Sequence, residues 1–347
     1  MHIEPGTPLE RRYWGEVERR LAPGLVDYLI GQQPDVNQRD YAGVRIVPTA
    51  LAGHAEVGVD HAVLGRPGGG PLIIGPFAGD RLFGERCLLD LAVAAREVDV
   101  PLCVSEMSVT PLAQLVAEAP ECWLQIRAAG PFDDVAALAR RAIDEGVGTI
   151  VLSVQAVAPL GPLPPGVGYP VDDSIDAIGE GTIGSPSGVR RAFALPQWGW
   201  DGLERLTGVV RDGGGRMVVK GLLRPEDVRR AVGAGVDAVM ASNTGGRHFD
   251  RLVSVPSRLA GLVDAADGVP VLADGGIRRG VDVAAALGLG AHAAVVVRPL
   301  VAAAVAEGAD GAVALLRSYL GELRRVCADL GVAAPAELTA DGFVAPA

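Results

Sequence analysis

The sequence contains almost no lysine. Of its 31 basic residues, Lys220 is the one lysine and the others are arginines. Lys220 ends the apolar run 217–219 and precedes Gly221. A codon bias would explain the composition, but arginine cannot replace lysine where chemistry needs a compact charge or a shiftable pKa. The position of Lys220 at the end of a predicted buried strand therefore indicates a functional site.

Other scarcities exclude whole classes of protein. The net charge is −11 and no basic cluster interleaves with aromatics, which are 4% of the chain, so nucleic acid and anionic membranes are not expected partners. The four cysteines form no CxxC pair and no histidine stands at metal spacing, which predicts no metal site and reduced thiols of a cytoplasmic protein. No apolar run reaches the roughly 20 residues of a membrane span, and the N-terminus lacks a signal peptide's apolar stretch.

Short apolar runs rich in β-branched residues alternate with amphipathic helical stretches along the chain. The eight runs are 71–77, 100–107, 122–128, 148–154, 216–222, 237–242, 270–276 and 293–299. Eight βα units with continuously apolar strands predict an α/β fold of TIM (β/α)8 type, formed by residues 1–347 as a single domain. An open doubly wound sheet is the alternative, but no GxGxxG follows the first strand.

Two segments fall outside this alternation. Residues 1–70 precede the first strand, and the helical stretch 8–31 within them is expected to cap or flank the barrel. Residues 156–197, after the fourth strand, are rich in proline and glycine and have no periodicity. An insert of this length predicts a mobile lid or an active-site loop.

The seventh and eighth strands end in residues suited to phosphate. The seventh run ends in Asp274, Gly275 and Gly276, followed by Ile277 and Arg278, and Arg298 follows the eighth. Paired glycines let backbone N–H groups approach a phosphate, and arginines grip its oxygens. An ordinary turn would also use this sequence, but an arginine after both strands favours a phosphate-bearing ligand.

The stretches VVKGLLRPEDVRRAVGAGVDAVMASNTGGRHFD (218–250) and VLADGGIRRGVDVAAALGLGAHAAVVVRP (271–299) resemble the FMN-dependent 2-hydroxy acid oxidases and dehydrogenases. The resemblance implies a TIM barrel, a homotetramer or octamer, and FMN at the strand ends. It assigns these residues to the cofactor: Pro76, Phe77, Ala78, Ser105, Gln125, Ser153, Lys220, Ser242, Asp274, Gly275, Gly276, Ile277, Arg278, Val297 and Arg298.

The chain departs from the family pattern on the substrate side. Thr244 stands where the family has its catalytic histidine, and Gln155 stands where it has the aspartate that orients this histidine. Arg127 replaces the family's substrate tyrosine, whereas Tyr28 and Arg247 match a tyrosine and a carboxylate-binding arginine. A threonine hydroxyl has no useful basicity at neutral pH. Ordinary 2-hydroxy acid oxidation is therefore expected to be weak or absent.

One cofactor position also differs. Val297 stands where the family has glycine, and its side chain is expected to crowd the phosphate. The candidate catalytic residues are Lys220, Arg247, Tyr28 and Thr244, and the candidate substrate-binding residues are Tyr28, Arg127 and Arg247.

The sequence favours an FMN-dependent oxidoreductase with a non-standard active site, acting on a small anionic, carboxylate-bearing substrate in specialised metabolism. Three alternatives remain open at this point. They are an FMN-dependent isomerase or other non-redox flavin enzyme, a Schiff-base aldolase using Lys220, and a flavin-binding protein without catalysis. His248 is a lesser candidate for the missing base.

Overall fold

The computed structural model describes residues 7–30, 35–54, 56–154, 198–244 and 251–339. Eight parallel strands close into a barrel in chain order, with β8 pairing with β1. The strands are β1 (Leu72–Ile74), β2 (Leu102–Ser105), β3 (Cys122–Arg127), β4 (Thr149–Ser153), β5 (Arg216–Lys220), β6 (Ala238–Ser242), β7 (Val271–Asp274) and β8 (Ala293–Val296). Each strand lies within one of the eight predicted runs, and the predicted TIM barrel is confirmed.

Helices surround this barrel. In chain order they are α1 (Pro8–Arg20), α2 (Pro23–Ile30), α3 (Val36–Gly43), α4 (Cys87–Val98), α5 (Leu112–Glu118), α6 (Phe132–Asp144), α7 (Trp200–Asp212), α8 (Pro225–Gly233), α9 (Pro256–Ala266), α10 (Gly280–Gly288) and α11 (Arg298–Leu330). Two 3₁₀ turns, Asp80–Leu82 and Pro335–Glu337, complete the described elements.

The N-terminal flank is divided into short helices by its capping residues. Thr7 accepts a hydrogen bond from the backbone N–H of Glu10 at 3.1 Å and begins α1. The stretch 8–31 forms two helices because Pro23, which suits a first helical position, begins α2. Asp35 caps α3. Three short helices therefore precede β1.

Inside the barrel, alternate side chains of the strands form a separate apolar cluster. Its members include Cys103, Trp123, Val151, Val218, Met240 and Leu272. Because strand side chains alternate between the two faces, the residues two positions further along face the same interior. The carboxyl end of the barrel is therefore lined by the polar residues that end the strands.

Helix α11 is long and apolar enough to cross a membrane by length and composition, but 72% of its most apolar window is buried. It packs against α1, α4 and α10. Its helical conformation is interrupted at Glu307 and Gly308, where Gly308 has a φ of +62°. A largely buried helix of this kind serves the core of the protein.

Candidate active site

The carboxyl ends of the strands bring the polar predicted residues into one row. The strand register places Arg127 beside Ser153, Ser153 beside Lys220, and Ser242 beside Asp274. Ser153, Lys220, Ser242 and Asp274 each lie two positions after a member of the inner apolar cluster, as does Ser105, and Arg127 lies four positions after Trp123. Six consecutive strands, β2 to β7, therefore direct polar side chains to one end of the interior, where TIM barrels place their active sites.

Lys220 is the centre of this row. Its Nζ lies 2.9 Å from the Asp274 Oδ2 atom and donates a hydrogen bond of 2.9 Å to the Ser242 hydroxyl. Ser242 in turn donates to the same Asp274 oxygen at 2.7 Å. Lys220 is 7% exposed, so the ammonium is desolvated and held in one position by the two partners. The lone lysine thus presents a fixed positive charge at the base of the site.

Thr244, which the resemblance places at the position of the family histidine, lies two residues after Ser242. Its backbone N–H donates to the Ser242 hydroxyl at 3.1 Å, and its φ is +52°, in the left-handed region. A β-branched residue is strained in this region, whereas histidine adopts it more readily. The Thr244 hydroxyl is buried and has no hydrogen-bond partner among the described residues. The backbone keeps a conformation that suits histidine while the side chain offers no base.

Arg127 forms an ion pair with Glu106, a residue that was not predicted from the sequence. Glu106 Oε1 accepts hydrogen bonds from the Arg127 Nε at 2.7 Å and from its backbone N–H at 3.1 Å. The exposed fractions of the two side chains are 16% for Arg127 and 7% for Glu106. Breaking such a desolvated pair is costly. Arg127 therefore faces the site as half of an ion pair.

Tyr28 reaches the barrel through an aromatic cluster. Its ring stacks on Phe83 with centroids 6.0 Å apart, and Phe83 meets the edge of Phe77 at 5.9 Å. Phe77 belongs to the segment after β1 that the resemblance assigns to the flavin, and the Ser108 hydroxyl donates to its carbonyl at 3.2 Å. The cluster packs α2 against this segment, so Tyr28 and Phe77, which the resemblance assigns to the substrate and to the cofactor, lie close together.

The glycines after β7 are required by a close approach of α3. Gly275 and Gly276 have φ values of +121° and +83°. A Cβ on Gly276 would lie 2.5 Å from the Asn37 Cβ and 2.9 Å from the Gln38 nitrogen. Only glycine supplies both the positive φ and the space. The predicted phosphate loop is therefore also the surface against which α3 packs.

Asn37 is a site-building residue that the sequence analysis missed. It exchanges hydrogen bonds with the buried Asn243 amide, at 2.9 and 3.0 Å, and accepts another from the Val255 backbone N–H at 2.8 Å. Asn243 directly precedes Thr244. Asn37 thus connects the loop after β6 with the loop after β7, which no local sequence pattern reveals because the two asparagines are 206 residues apart.

The two predicted phosphate arginines meet one carboxylate. Asp35 Oδ2 lies 3.2 Å from an Arg278 Nη atom and 3.9 Å from an Arg298 Nη atom. Arg278 also lies 3.7 Å from Glu10, which is fully buried. Burial lowers the pKa of Arg278, but the charges of Asp35 and Glu10 outweigh it and the net shift is upward. The Arg278 guanidinium therefore remains charged.

Asp282, beneath the arginines, is a perturbed carboxyl group. Burial raises its pKa to about 6, although the backbone N–H and the charge of Arg278 act in the opposite direction. Its Oδ2 accepts the Arg278 backbone N–H at 2.8 Å. This contact holds the start of α10 in place below the phosphate loop.

Val297 packs toward β1. A Cβ built on Gly75 would lie 2.6 Å from the Val297 Cγ2 and 2.5 Å from the Val295 Cγ1. The valine side chain therefore occupies space that glycine at position 75 leaves open. Whether Val297 also crowds a phosphate stays a prediction.

Most predicted site residues lie among the described ones and at the carboxyl end of the barrel. Ser105 is buried, and Gln125 and Ser153 are half-buried at the ends of β3 and β4. Ile277 is buried behind the phosphate loop, and Pro76 and Ala78 are half-buried after β1. The predictions for Gln155, Arg247, His248 and the loop 156–197 fall outside the described residues.

These residues fit the FMN that the resemblance implies. The phosphate needs guanidinium groups and unobstructed backbone N–H groups, which Arg278, Arg298 and the positive-φ glycines supply. The resemblance places a cation at the pyrimidine edge of the flavin ring, and Lys220, held in position by Asp274, would supply it. Asp35 is the one described group in contact with both arginines whose charge opposes a phosphate.

Comparison with known proteins gives a consistent result. A family model described as FMN-dependent dehydrogenase matches residues 18–160 and 177–345. An L-lactate oxidase of Roseobacter sp. (strain GAI101) is 29% identical over 338 residues, which is 93% of this chain and 90% of the relative. An L-lactate dehydrogenase of Yersinia pestis (strain Pestoides F) is 27% identical over 381 residues, covering 95% and 96% of the two chains.

Solved structures show the same likeness. A mandelate oxidase variant with 2-hydroxy-phenylacetamide superposes with a TM-score of 0.81 at 28% identity, covering 95% of this chain and 96% of that one. The monotopic membrane protein (S)-mandelate dehydrogenase superposes with a TM-score of 0.80 at 25% identity, covering 96% of this chain and 98% of that one. The likeness thus extends over nearly the whole chain.

Proposed function

The chain belongs to the family of FMN-dependent dehydrogenases, and from this premise we propose that it is an oxidoreductase with a reassigned acid–base centre that acts on a small carboxylate. FMN is the cofactor of this family of 2-hydroxy acid oxidases and dehydrogenases. When bound, FMN accepts the two electrons and the hydrogen that leave the substrate carbon. The finer proposal concerns the substrate and the missing base.

The proposal rests on a difference between the cofactor side and the substrate side of the site. On the cofactor side, Lys220, Ser242 and Asp274 form a buried, mutually hydrogen-bonded cluster. On the substrate side, the resemblance places Thr244 at the position of the base, and its buried hydroxyl has no hydrogen-bond partner among the described residues. Removal of a positioned general base typically slows proton transfer by roughly 10²–10⁴-fold. We therefore propose that ordinary 2-hydroxy acids are poor substrates.

The proposed substrate carries one carboxylate. Arg247, by its match to the family arginine, is proposed to clamp this carboxylate, with Tyr28 opposite. Arg127 contributes less net positive charge than the sequence analysis assumed, because Glu106 accepts two of its N–H groups. The pocket is thus proposed to favour a monoanion over a dianion. A role in specialised metabolism is part of the same proposal.

The contacts of Lys220 weigh against a Schiff-base aldolase. A Schiff-base lysine attacks a carbonyl as a neutral amine and needs an unobstructed nitrogen. Here Nζ contacts both the Asp274 carboxylate and the Ser242 hydroxyl at 2.9 Å. This arrangement suits a fixed charge beside a flavin better than a nucleophile.

The test is an anaerobic visible spectrum of the purified holoprotein before and after addition of lactate, glycolate or mandelate. We expect the wild-type flavin to stay oxidised. We expect Thr244→His to raise the rate of flavin reduction by at least tenfold, part of the roughly 10²–10⁴-fold that a positioned base contributes. Histidine suits the left-handed backbone at this position.

Thr244→Val is the matched control, because valine keeps the shape of threonine without supplying a base. Its flavin should remain oxidised like that of the wild type. Rapid bleaching of the wild-type flavin by any of the three acids would refute the proposal that Thr244 removes the family reaction.

A further inference from the structure

Asp35 lies where the phosphate of the cofactor is expected to bind. Its Oδ2 is 3.2 Å from Arg278 and 3.9 Å from Arg298, and its side chain is 7% exposed. A carboxylate this deeply buried between two guanidinium groups is a strong local anion. A phosphate monoester carries about −1.5 to −2 charges at pH 7 and uses the same groups. The carboxylate and the phosphate therefore compete for one pair of arginines.

The two oxygens of Asp35 have separate contacts. Oδ1 accepts hydrogen bonds from the backbone N–H groups of Asn37 and Gln38, at 3.1 and 3.3 Å, and so caps α3. Oδ2 faces Arg278 and Arg298. The cap needs an oxygen but no charge, since serine and asparagine cap helices as well as aspartate does. The negative charge of Asp35 is therefore not required to form the helix.

Helix α3 is itself fixed to the phosphate loop. Asn37 lies against Gly275 and Gly276 and bonds to Asn243 beside the active-site loop. A shift of Asp35 away from the arginines would move the N-terminus of a helix that rests on both loops. Because α3 contacts both loops, the position of Asp35 is coupled to the position of these loops.

We propose that Asp35 is a built-in counter-anion of the phosphate site, which weakens FMN binding and couples cofactor loading to the position of α3. Its carboxylate neutralises part of the charge of Arg278 and Arg298, so the site gains less from a phosphate than two free arginines would give. The inference rests on the cofactor of the proposed function and not on its substrate. Flavin binding, not turnover, is therefore the measurement.

The experiment compares FMN with riboflavin, which has the same ring and ribityl chain but no phosphate. Full-length flavin-depleted protein is titrated with each flavin, and binding is followed by quenching of flavin fluorescence. Asp35→Asn and Asp35→Ser keep an oxygen for the cap and remove the charge. We expect both variants to bind FMN on the order of tenfold more tightly, with riboflavin affinity unchanged within about twofold.

Asp40→Asn is the matched control, because it removes one negative charge from the same helix. Asp40 contacts Arg39 at 2.8 Å and the Ser254 hydroxyl, not the phosphate arginines. FMN affinity should not change in this variant. An equal gain in Asp40→Asn, a parallel gain for riboflavin, or unchanged or weaker FMN binding by both Asp35 variants would overturn the proposal. Failure of flavin reduction by a substrate would concern the proposed reaction alone.

Discussion

The Glu106–Arg127 pair sets the local charge at the carboxyl ends of β2 and β3. Both side chains are largely buried, and Glu106 Oε1 accepts two hydrogen bonds from Arg127. Glu106 follows β2 and Arg127 ends β3, so the pair also joins two adjacent strand ends. A neutral partner at position 106 would leave the guanidinium with its full charge toward the site.

We predict that Glu106→Gln tightens binding of oxalate, a small dianion, by on the order of tenfold, because the uncompensated Arg127 gains an anionic partner. Binding is measured on the holoprotein from the change in the flavin absorption spectrum. Glu121→Gln is the control. Glu121 pairs with Arg66 at 3.3 Å, beside the amino end of β3, and should have no effect. Unchanged or weaker oxalate binding in Glu106→Gln would show that Arg127 does not act on substrate anions.

The sequence predicted the row of strand-end residues because a parallel barrel places all carboxyl ends together. It predicted Lys220, Ser242 and Asp274 as cofactor residues, and the structure brings these three into direct contact. It did not predict that Arg127 is paired. A partner on the adjacent strand depends on register and side-chain direction, and an isolated arginine in the sequence gives no sign of either.

At the scale of elements, α3 and the loop after β7 form one unit. The phosphate loop was predicted from its glycines and from the two arginines, but one of its constraints is the backbone of α3, which leaves no room for a Cβ at Gly276. The N-terminal helical stretch predicted from the sequence ends at residue 31, and no element was predicted for residues 35–43. A helix of eight residues with weak amphipathic character shows little periodicity, so its docking comes from tertiary contacts.

Two glycine substitutions separate the strain of a positive φ from the loss of this contact. Gly276 and Gly268 have similar φ values, +83° and +89°, but a Cβ on Gly268 meets nothing within 4 Å. We expect Gly268→Ala to lower the free energy of unfolding by about 1 kcal/mol. Gly276→Ala should cost roughly 1–3 kcal/mol more, because its Cβ displaces Asn37. Urea unfolding of the two variants measures the difference.

The same pair of variants should differ in flavin affinity. Gly276→Ala is expected to weaken FMN binding, since the alanine methyl group and the displaced α3 both disturb the phosphate loop. Gly268 lies between α9 and β7, at the other end of the strand, and its substitution should leave FMN binding intact. Equal losses of stability in the two variants would contradict the conclusion that α3 packs too closely against Gly276 to admit a Cβ.

At the scale of the whole molecule, the barrel and its cofactor were predictable and the assembly was not. Eight apolar runs and their spacing predict a closed parallel barrel, and the family resemblance implies FMN; both predictions are confirmed. The tetramer and the cytoplasmic location stay predictions. They depend on the outer surface, where sequence patterns are weak because many side chains satisfy a solvated face equally well.

Membrane binding by this protein needs a test, because one structural relative is described as a monotopic membrane protein. The net charge of −11 repels anionic lipid, and the long apolar helix α11 is mostly buried. Among the described residues, the large hydrophobic side chains that are exposed are Val47, Leu51 and Val253. Three such residues make a small apolar surface compared with a membrane-binding face.

We therefore predict that the full-length protein stays in the supernatant when sedimented with vesicles of phosphatidylglycerol or phosphatidylcholine. Leu51→Ser should behave identically, although Leu51 is fully exposed at a positive φ of 58° and is the most accessible apolar side chain described. Salt-resistant sedimentation of the wild type with phosphatidylcholine would contradict the prediction, because it would require apolar insertion that charge cannot supply. Loss of that binding in Leu51→Ser would then assign the contact to the loop that carries Leu51.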